Sequence, residues 1–457
     1  MNKRSKPRRK IPRMSSLDQI NLDTAGIDIG SSEIFVCVPH DRDKMNVRGF
    51  ETFTCELYRI ANWLKACRIR SVAMESTGIY WIPLYEILEE RGFDVCLVNA
   101  RDVKNVPGRK TDVLDCQWLQ QLHTYGLLKA SFRPDNEVCE LRSLIRHREN
   151  LIRSRASHIQ HMQKALHLMN LQIDNVISDI TGVTGMKIIR AIVAGQRNPK
   201  VLATYRDPHC KNSQSVIAKS LEGNYRSEHL FELKQALQLY DFYTKLMQDV
   251  DREIEKRYQA FEMRVNITDK PLKPSKRSNK LPIKNEPGFP LRENLYKMCG
   301  VDLTLIDGIN TLTVQTVISE IGLDMSKWKT AKHFTSWLGL CPGSAISGGK
   351  VLSSRSKKTN NRANTALRIA AQSLHRSDCA LGAFYRRMRT RLGAPKAITA
   401  TAHKLAKIMY FLLENNVEFV DMGAEYYEIK YKQRVLKNLS QRATKLGYTL
   451  VPAASVS

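Results

Sequence analysis

Between Ala25 and about Arg133, short apolar runs alternate with segments whose apolar residues recur at helical spacing. Gly26–Ile29 reads as a strand that turns through Ser31 and Ser32 into Ile34–Val38, and Arg48–Phe53 completes a three-strand meander. A helix over Glu56–Cys67, a strand over Ser71–Glu75, a helix over Ile82–Glu90 and a strand over Asp94–Val98 follow. The last helix of this region carries Asp112 and Asp115.

Beyond residue 138 the pattern changes. Ile145, Ile152, Ile159 and Leu166 recur every seven residues to about position 170, flanked by Leu141, Leu144, Leu151, Met162 and Met169. This spacing predicts a long amphipathic helix of coiled-coil type, with Arg142, Arg146, Arg148, Arg153 and Arg155 along it. A second long helical stretch, Ser227 to about Phe261, can return antiparallel to it. Lys, Ser and Pro crowd Val265–Pro290 without periodicity, which reads as a linker. Leu305–Gly322 then has the form of a helix, a hairpin around Gly308 and a second helix. Such a hairpin offers backbone amides to a phosphate, although it also occurs as a simple packing unit. Thr399–Leu413 and the polar stretch Tyr426–Leu446 read as structural helices, with His403 a surface or capping residue.

These changes divide the chain into a basic arm (1–20), a metal domain (21–135), a helical coiled-coil region (136–264), a basic linker (265–290), a second domain with the hairpin (291–400) and carboxy-terminal helices (401–457). The order β-β-β-α-β-α-β-α of the first domain resembles the ribonuclease-H-like α/β fold, in which the first and fourth strands lie side by side. Acids at the ends of those strands can then meet a helix packed nearby.

Four acids occupy such positions. Asp28 interrupts the apolar strand Ala25-Gly-Ile-Asp-Ile-Gly30, and Glu75 ends the apolar strand before Ser76-Thr-Gly78. An acid within an apolar strand is costly unless paired, hydrogen-bonded or metal-bound. Asp112 and Asp115, three apart, share one helix face. Singly, Asp112 fits a helix cap and Asp115 a solvated surface acid. Together the four fit a site for divalent metal, because converging carboxylates repel unless a cation lies between them.

Composition decides which partner such a site serves. The 457 residues carry a formal charge of +27, which favours a polyanion. No apolar run is long enough to span a membrane, and the basic amino terminus lacks the apolar core of a secretory signal, so nucleic acid in the cytoplasm is expected. Lys3, Arg4, Lys6, Arg8, Arg9, Lys10 and Arg13 form an arm without acids. Ten cysteines without paired C-x-x-C spacing read as reduced and largely buried. Near the end, Ser347 precedes Gly348 and Gly349, with Lys350, Arg355, Lys357, Lys358 and Arg362 close by. The residues alone read as a flexible phosphate-binding loop, and nucleic-acid contacts are expected from those five cations, from Gly308, and from Arg146 and Arg153 on the long helix.

Gly26-Ile-Asp-Ile-Gly30, Glu75-Ser-Thr-Gly-Ile-Tyr80, Val98-Asn-Ala100, Lys110-Thr-Asp-Val-Leu-Asp115, the hairpin, and Leu338-Gly-Leu-Cys-Pro-Gly343 with Ser347-Gly-Gly-Lys350 occur in an order that resembles the DEDD-type insertion-sequence transposases. That family includes Piv-like invertases and RNA-guided bridge recombinases. The resemblance implies a RuvC-like amino-terminal domain in which Asp28, Glu75, Asp112 and Asp115 bind Mg2+, two ions with Mn2+ able to substitute. It also implies a mostly helical carboxy-terminal transposase domain with a helix-hairpin-helix and Ser347 as nucleophile, although Ser344, Ser353, Ser354 and Ser356 crowd the same segment. The partners it implies are DNA (element ends and target), a structured non-coding guide RNA and three further copies in a tetramer, in a prokaryotic, nucleoid-associated setting. Cys116 stands where the family often has alanine. Two other readings use the same residues: a Mg-dependent hydrolytic nuclease of the RuvC or ribonuclease-H kind with water as nucleophile, and a nucleic-acid scaffold that keeps the fold without the chemistry.

Overall fold

The computed structural model describes residues 18–76, 78–99, 112–274 and 284–451. Residues 1–17 of the basic arm, Thr77, residues 100–111 with Lys110, and the middle of the linker at 275–283 lie outside the described residues. The chain forms two compact units that divide between Arg133 and Pro134.

In the first unit the strands β1 (Thr24–Ile29), β2 (Glu33–Cys37), β3 (Val47–Glu51), β4 (Ser71–Glu75) and β5 (Asp94–Val98) form one sheet in the order β3-β2-β1-β4-β5. The two hairpin pairings are antiparallel, whereas β1–β4 and β4–β5 are parallel, as crossover helices require. Those helices are α1 (Thr54–Ala66), between β3 and β4, and α2 (Trp81–Glu90), between β4 and β5. Strand alternation sends Ala25, Ile27 and Ile29 into one core with Leu57, Ile60 and Leu64 of α1 and Leu84 and Leu88 of α2. Gly26 and Asp28 therefore point to the opposite face, where α3 (Asp112–Thr124) packs on the sheet. This is a mixed α/β unit with the strand order expected of a ribonuclease-H-like domain.

The second unit is mostly helical. Its frame is α4 (Asn136–Leu168), which the heptad spacing anticipated to within two residues at each end. A 3-10 turn and three shorter helices, α5 (Val183–Val193), α6 (Pro199–Ala203) and α7 (Gln214–Lys219), precede α8 (Ser227–Ala260). Contacts Glu140–Arg257, Arg148–Asp251 and Arg155–Thr244 run in opposite senses along α4 and α8, so the two pack antiparallel. Ile145 and Leu166 of the predicted stripe are buried, but Ile152 and Ile159 are only half-buried, and Arg148 takes a seam position at 4% exposure. The Arg148 guanidinium is neutralised by Asp251, itself in the seam of α8, and donates to the Asn285 carbonyl at 2.8 Å. A pattern of apolar letters cannot show this, because the pair is satisfied by a residue about a hundred positions away. At the far end of the pair, α5–α7 fold over Met162, Leu166, Leu233 and Leu237 to form a separate core.

The remainder is α9 (Leu291–Cys299), α10 (Thr311–Ile321), α11 (Ala331–Trp337), the hairpin β6 (Ala345–Ser347) and β7 (Lys350–Ser353), then α12 (Arg362–Ser373), α13 (Ala380–Leu392), α14 (Ala394–Asn415) and α15 (Gly423–Lys445). α14, predicted to begin at Thr399, begins five residues earlier, with Pro395 in its first turn, where a missing N–H costs nothing. No disulfide joins any of the ten cysteines, and five of them are buried. No helix of the described residues is long and apolar enough to cross a membrane.

Candidate active site and nucleic-acid interface

The acid site is built by close approach of α3 to β1. At the start of β1, Thr24 Oγ1 lies 2.8 Å from Thr124 Oγ1 in the last turn of α3. Two residues on, a Cβ added to Gly26 would come within 2.2 Å of the Cys116 carbonyl oxygen and 2.3 Å of the Gln120 amide nitrogen. Glycine is therefore the residue that lets the helix lie directly on the strand. Two residues of strand advance about 6.6 Å, and four of helix about 6 Å, so this antiparallel ladder stays in step. The next strand position on that face, Asp28, meets the first turn of α3, where Asp115 is half-buried. The backbone of Asp112 opens this helix, and its side chain lies outside the described residues.

Glu75 comes to the same edge through the parallel pairing. Ile27 is paired with Met74, so Asp28 and Glu75 occupy the next step and share a face. Both are half-buried at the carboxyl ends of their strands. The hydrogen bond with Cys37 and burial, and after them the charges of Cys37 and Asp28, raise the pKa of the Cys116 thiol, while that bond lowers the pKa of Cys37. Cys116, next to Asp115, is fully buried. At the other end of α3, His123 Nε2 lies 2.7 Å from Ser71 Oγ, and burial lowers the pKa of this imidazole. Hard oxygen donors of this type suit Mg2+ or Mn2+.

Ser347 is placed in a quite different way. It ends β6 and pairs with Lys350, leaving Gly348 and Gly349 as a two-residue turn with φ of +55° and +78°. Two consecutive positive φ values mark the turn type that matches the twist of a hairpin, and they explain the paired glycines. The segment read from sequence as a flexible loop is thus a β-hairpin with Ser347 and Lys350 at its tip, both exposed. Ile346, Val351 and Leu352 are also 63–70% exposed.

The expected nucleic-acid residues separate into two groups. Lys350, Arg355, Lys357 and Lys358 are exposed, as is Arg153. Arg146 instead makes a bidentate ion pair with Glu320 of α10, and Arg362 is hydrogen-bonded to Glu149 of α4, so both tie helices together. Gly308 has φ +85°, and a Cβ there would come within 2.9 Å of the Ala370 carbonyl oxygen of α12. The element before it is a 3-10 turn, Leu303–Leu305, rather than a full helix, and Asn310 caps α10 by accepting from Thr313 N at 2.8 Å. The sequence reading missed Arg368 of α12 and Thr399 of α14, which line one cavity with Lys357 and Lys358. A signal for them existed: Asp378 is the only acid between Met325 and Leu413.

Among the described residues, Asp307, Cys379 and Asp421 bring ligand atoms within 4.8 Å of one another. Local roles already explain two of them: Cys379 caps α13 by accepting from Gly382 N, and Asp421 accepts from Ala380 N at 3.3 Å.

Two family models match the chain. Residues 25–170 match the model of IS110-type DEDD enzymes, described as "Transposase", and residues 302–386 match the model described as "Transposase IS116/IS110/IS902 family". None of the curated proteins matches.

Proposed function

The chain belongs to the IS110-type transposase family, whose members cut and rejoin DNA for mobile elements, and from that premise we propose that it rejoins DNA through a covalent link to Ser347. The observation that supports a metal-assisted reaction is the meeting of the β1 and β4 ends with the first turn of α3. Asp28, Glu75, Asp112 and Asp115 form the ligand set in this reading. Divalent cations held there, two Mg2+ ions with Mn2+ able to replace them, supply polarisation of a phosphoryl oxygen and stabilisation of the leaving oxygen.

The residues of the chain do the rest. The Ser347 hydroxyl loses its proton and its Oγ attacks the scissile phosphorus; one P–O bond of the DNA breaks, and the released strand end takes up a proton as a hydroxyl. Lys350 and Arg355 hold the charge that develops on the phosphoryl oxygens. A strand hydroxyl from a second DNA end then attacks the phosphoserine, forming the new phosphodiester and restoring the serine. Bond energy is conserved in the protein–DNA link, so no nucleotide is consumed.

The division of labour is a RuvC-like metal domain over 21–135, a coiled-coil region over 136–264 and a transposase domain over 291–400 with the serine hairpin and, around Gly308, a 3-10 turn leading into α10. Exchange between two DNA ends requires more than one active site, which a tetramer provides. A structured bridge RNA gives target choice, and the excess positive charge suits both nucleic acids.

A strand-exchange assay with element-end DNA and the co-purifying RNA tests the reading. Ser347→Ala is expected to bind DNA as the wild type does and to form no protein–DNA adduct on denaturing gels. Cleavage at the wild-type rate by that variant would instead make the chain a hydrolytic nuclease with water as nucleophile.

A further inference from the structure

The basic run that follows the serine hairpin forms one side of a cavity of about 320 Å3, whose other side comes from α12 and α14. Lys357 and Lys358 stand on the run, Arg368 on α12 and Thr399 on α14, with Asn360 between them. The volume lies at the low end of the roughly 300–1,000 Å3 of small-ligand sites, which suits a phosphodiester and its sugar.

Three observations give this cavity its chemistry. No carboxylate lines it, and none of Lys357, Lys358 and Arg368 is ion-paired to a described residue. Arg362, six residues earlier on the same helix, is by contrast neutralised by Glu149. Three cations around one cavity repel one another unless an anion is present.

The walls are also held in place. Arg368 projects from a helix anchored along the adjoining face, where Ala363, Leu367 and Ala371 are buried. The basic run is tied to the preceding segment by the Pro342–Ser356 bridge and by Gly343 N donating to the Arg355 carbonyl at 2.9 Å. Gly339, at φ +71°, lets Thr359 approach to where a Cβ would meet Thr359 Cγ2 at 2.8 Å. Cations on fixed elements bind an anion without first being ordered.

We infer that this cavity is a seat for one backbone phosphate of the bound nucleic acid, gripped by Arg368, Lys357 and Lys358 and hydrogen-bonded by Thr399 and Asn360. It rests on the reading that the chain acts on nucleic acid, but it assigns these residues to a phosphate other than the one Ser347 attacks. Such a contact fixes the register of the strand and carries no sequence information.

The test uses the full-length protein, with a duplex DNA and a structured RNA as separate fluorescent probes titrated across a range of salt. Removing one phosphate contact lowers the magnitude of the slope of log K against log salt by about 0.9 on duplex DNA and about 0.7 on single strands. Arg368→Gln is expected to show that loss on the nucleic acid that uses the cavity, and the probe affected identifies it as DNA or RNA. Thr399→Val is expected to weaken binding several-fold without changing the slope, because it removes a hydrogen bond and no charge. Lys219→Gln, at an exposed lysine on α7, is expected to leave both quantities unchanged. An Arg368→Gln slope equal to the wild type on both probes overturns the inference, as does an equal loss with Lys219→Gln, which would mean diffuse attraction. The recombinase reading fails separately, on the absence of a Ser347 adduct, with the slope loss still standing.

Discussion

The acids and the serine are built on opposite principles. Asp28 and Glu75 sit at the ends of strands whose other residues are largely buried, and Asp115 lies in the first turn of α3, which touches β1 backbone to side-chain-free backbone at Gly26. Ser347 sits at the tip of a two-stranded hairpin whose residues are almost all exposed. Carboxylates that share a cation must converge within fractions of an ångström, which only a packed frame maintains. In the proposed reaction Ser347 is a nucleophile that needs reach, and an isolated hairpin, marginally stable by itself, would supply it. The comparison teaches that a chain can hold charge rigidly in one unit and present a hydroxyl on a lightly packed element of another.

The largest effects are expected from removing either chemical group. Ser347→Ala should lower strand exchange by roughly 10^4–10^6-fold, and Asp28→Asn or Asp115→Asn should lower cleavage by roughly 10^3-fold, all with unchanged melting temperatures. Single-turnover kinetics with Mg2+ measure both. An Asp28→Asn enzyme that cleaves as fast as the wild type would remove the metal site from the mechanism.

Breaking the frame of the helical unit comes next. Arg148→Met leaves Asp251 buried without its partner and should cost about 3–5 kcal/mol in urea unfolding, whereas Arg148→Met with Asp251→Leu should recover much of it. A loss below 1 kcal/mol for the single change would mean that this arginine is solvated and free to serve a ligand.

The contrast itself is sharpened by two glycines. Gly26→Ala drives a Cβ into the backbone of α3 and should cost about 1–3 kcal/mol or more, with loss of metal-dependent cleavage. Gly348→Ala meets no atom within 4 Å and should cost only the left-handed backbone penalty of about 1–2 kcal/mol. Equal losses in thermal unfolding would contradict the difference in packing.

The smallest effect is on pH dependence. Burial lowers the pKa of His123 on α3, and likewise of His158 on α4 and His403 on α14, below the ordinary 6.5. As pH falls below 6.5 the unfolded chain takes up protons that the folded protein does not, so stability is undiminished above 6.5 and declines below it. His123→Gln should flatten that decline in the unit that carries the acids, as read by pH-dependent melting; a profile identical to the wild type would show that the imidazole titrates normally.

Much of the acid unit was legible because its signals are local. Alternating apolar runs gave five strands to within a few residues, and an acid inside an apolar strand marked Asp28 and Glu75 before any pairing was known. The heptad spacing likewise gave the extent of α4. It did not give its interior: Arg148 is buried because Asp251 meets it, and Arg146 is held because Glu320 does. Arg368 and Thr399 escaped notice for the same reason, since a helix-borne cation and a hydroxyl thirty-one positions apart mean little until α12 and α14 bring them to one cavity.

The sequence by itself determined the elements, the excess of positive charge, the acids and the serine, because residue type, period and spacing are properties of the chain alone. The tertiary structure decided which cations are neutralised and which face a cavity, that the serine segment is a hairpin, and that a glycine brings α3 onto β1. Those depend on contacts between residues far apart in the chain, whose energies exist only after the elements have packed.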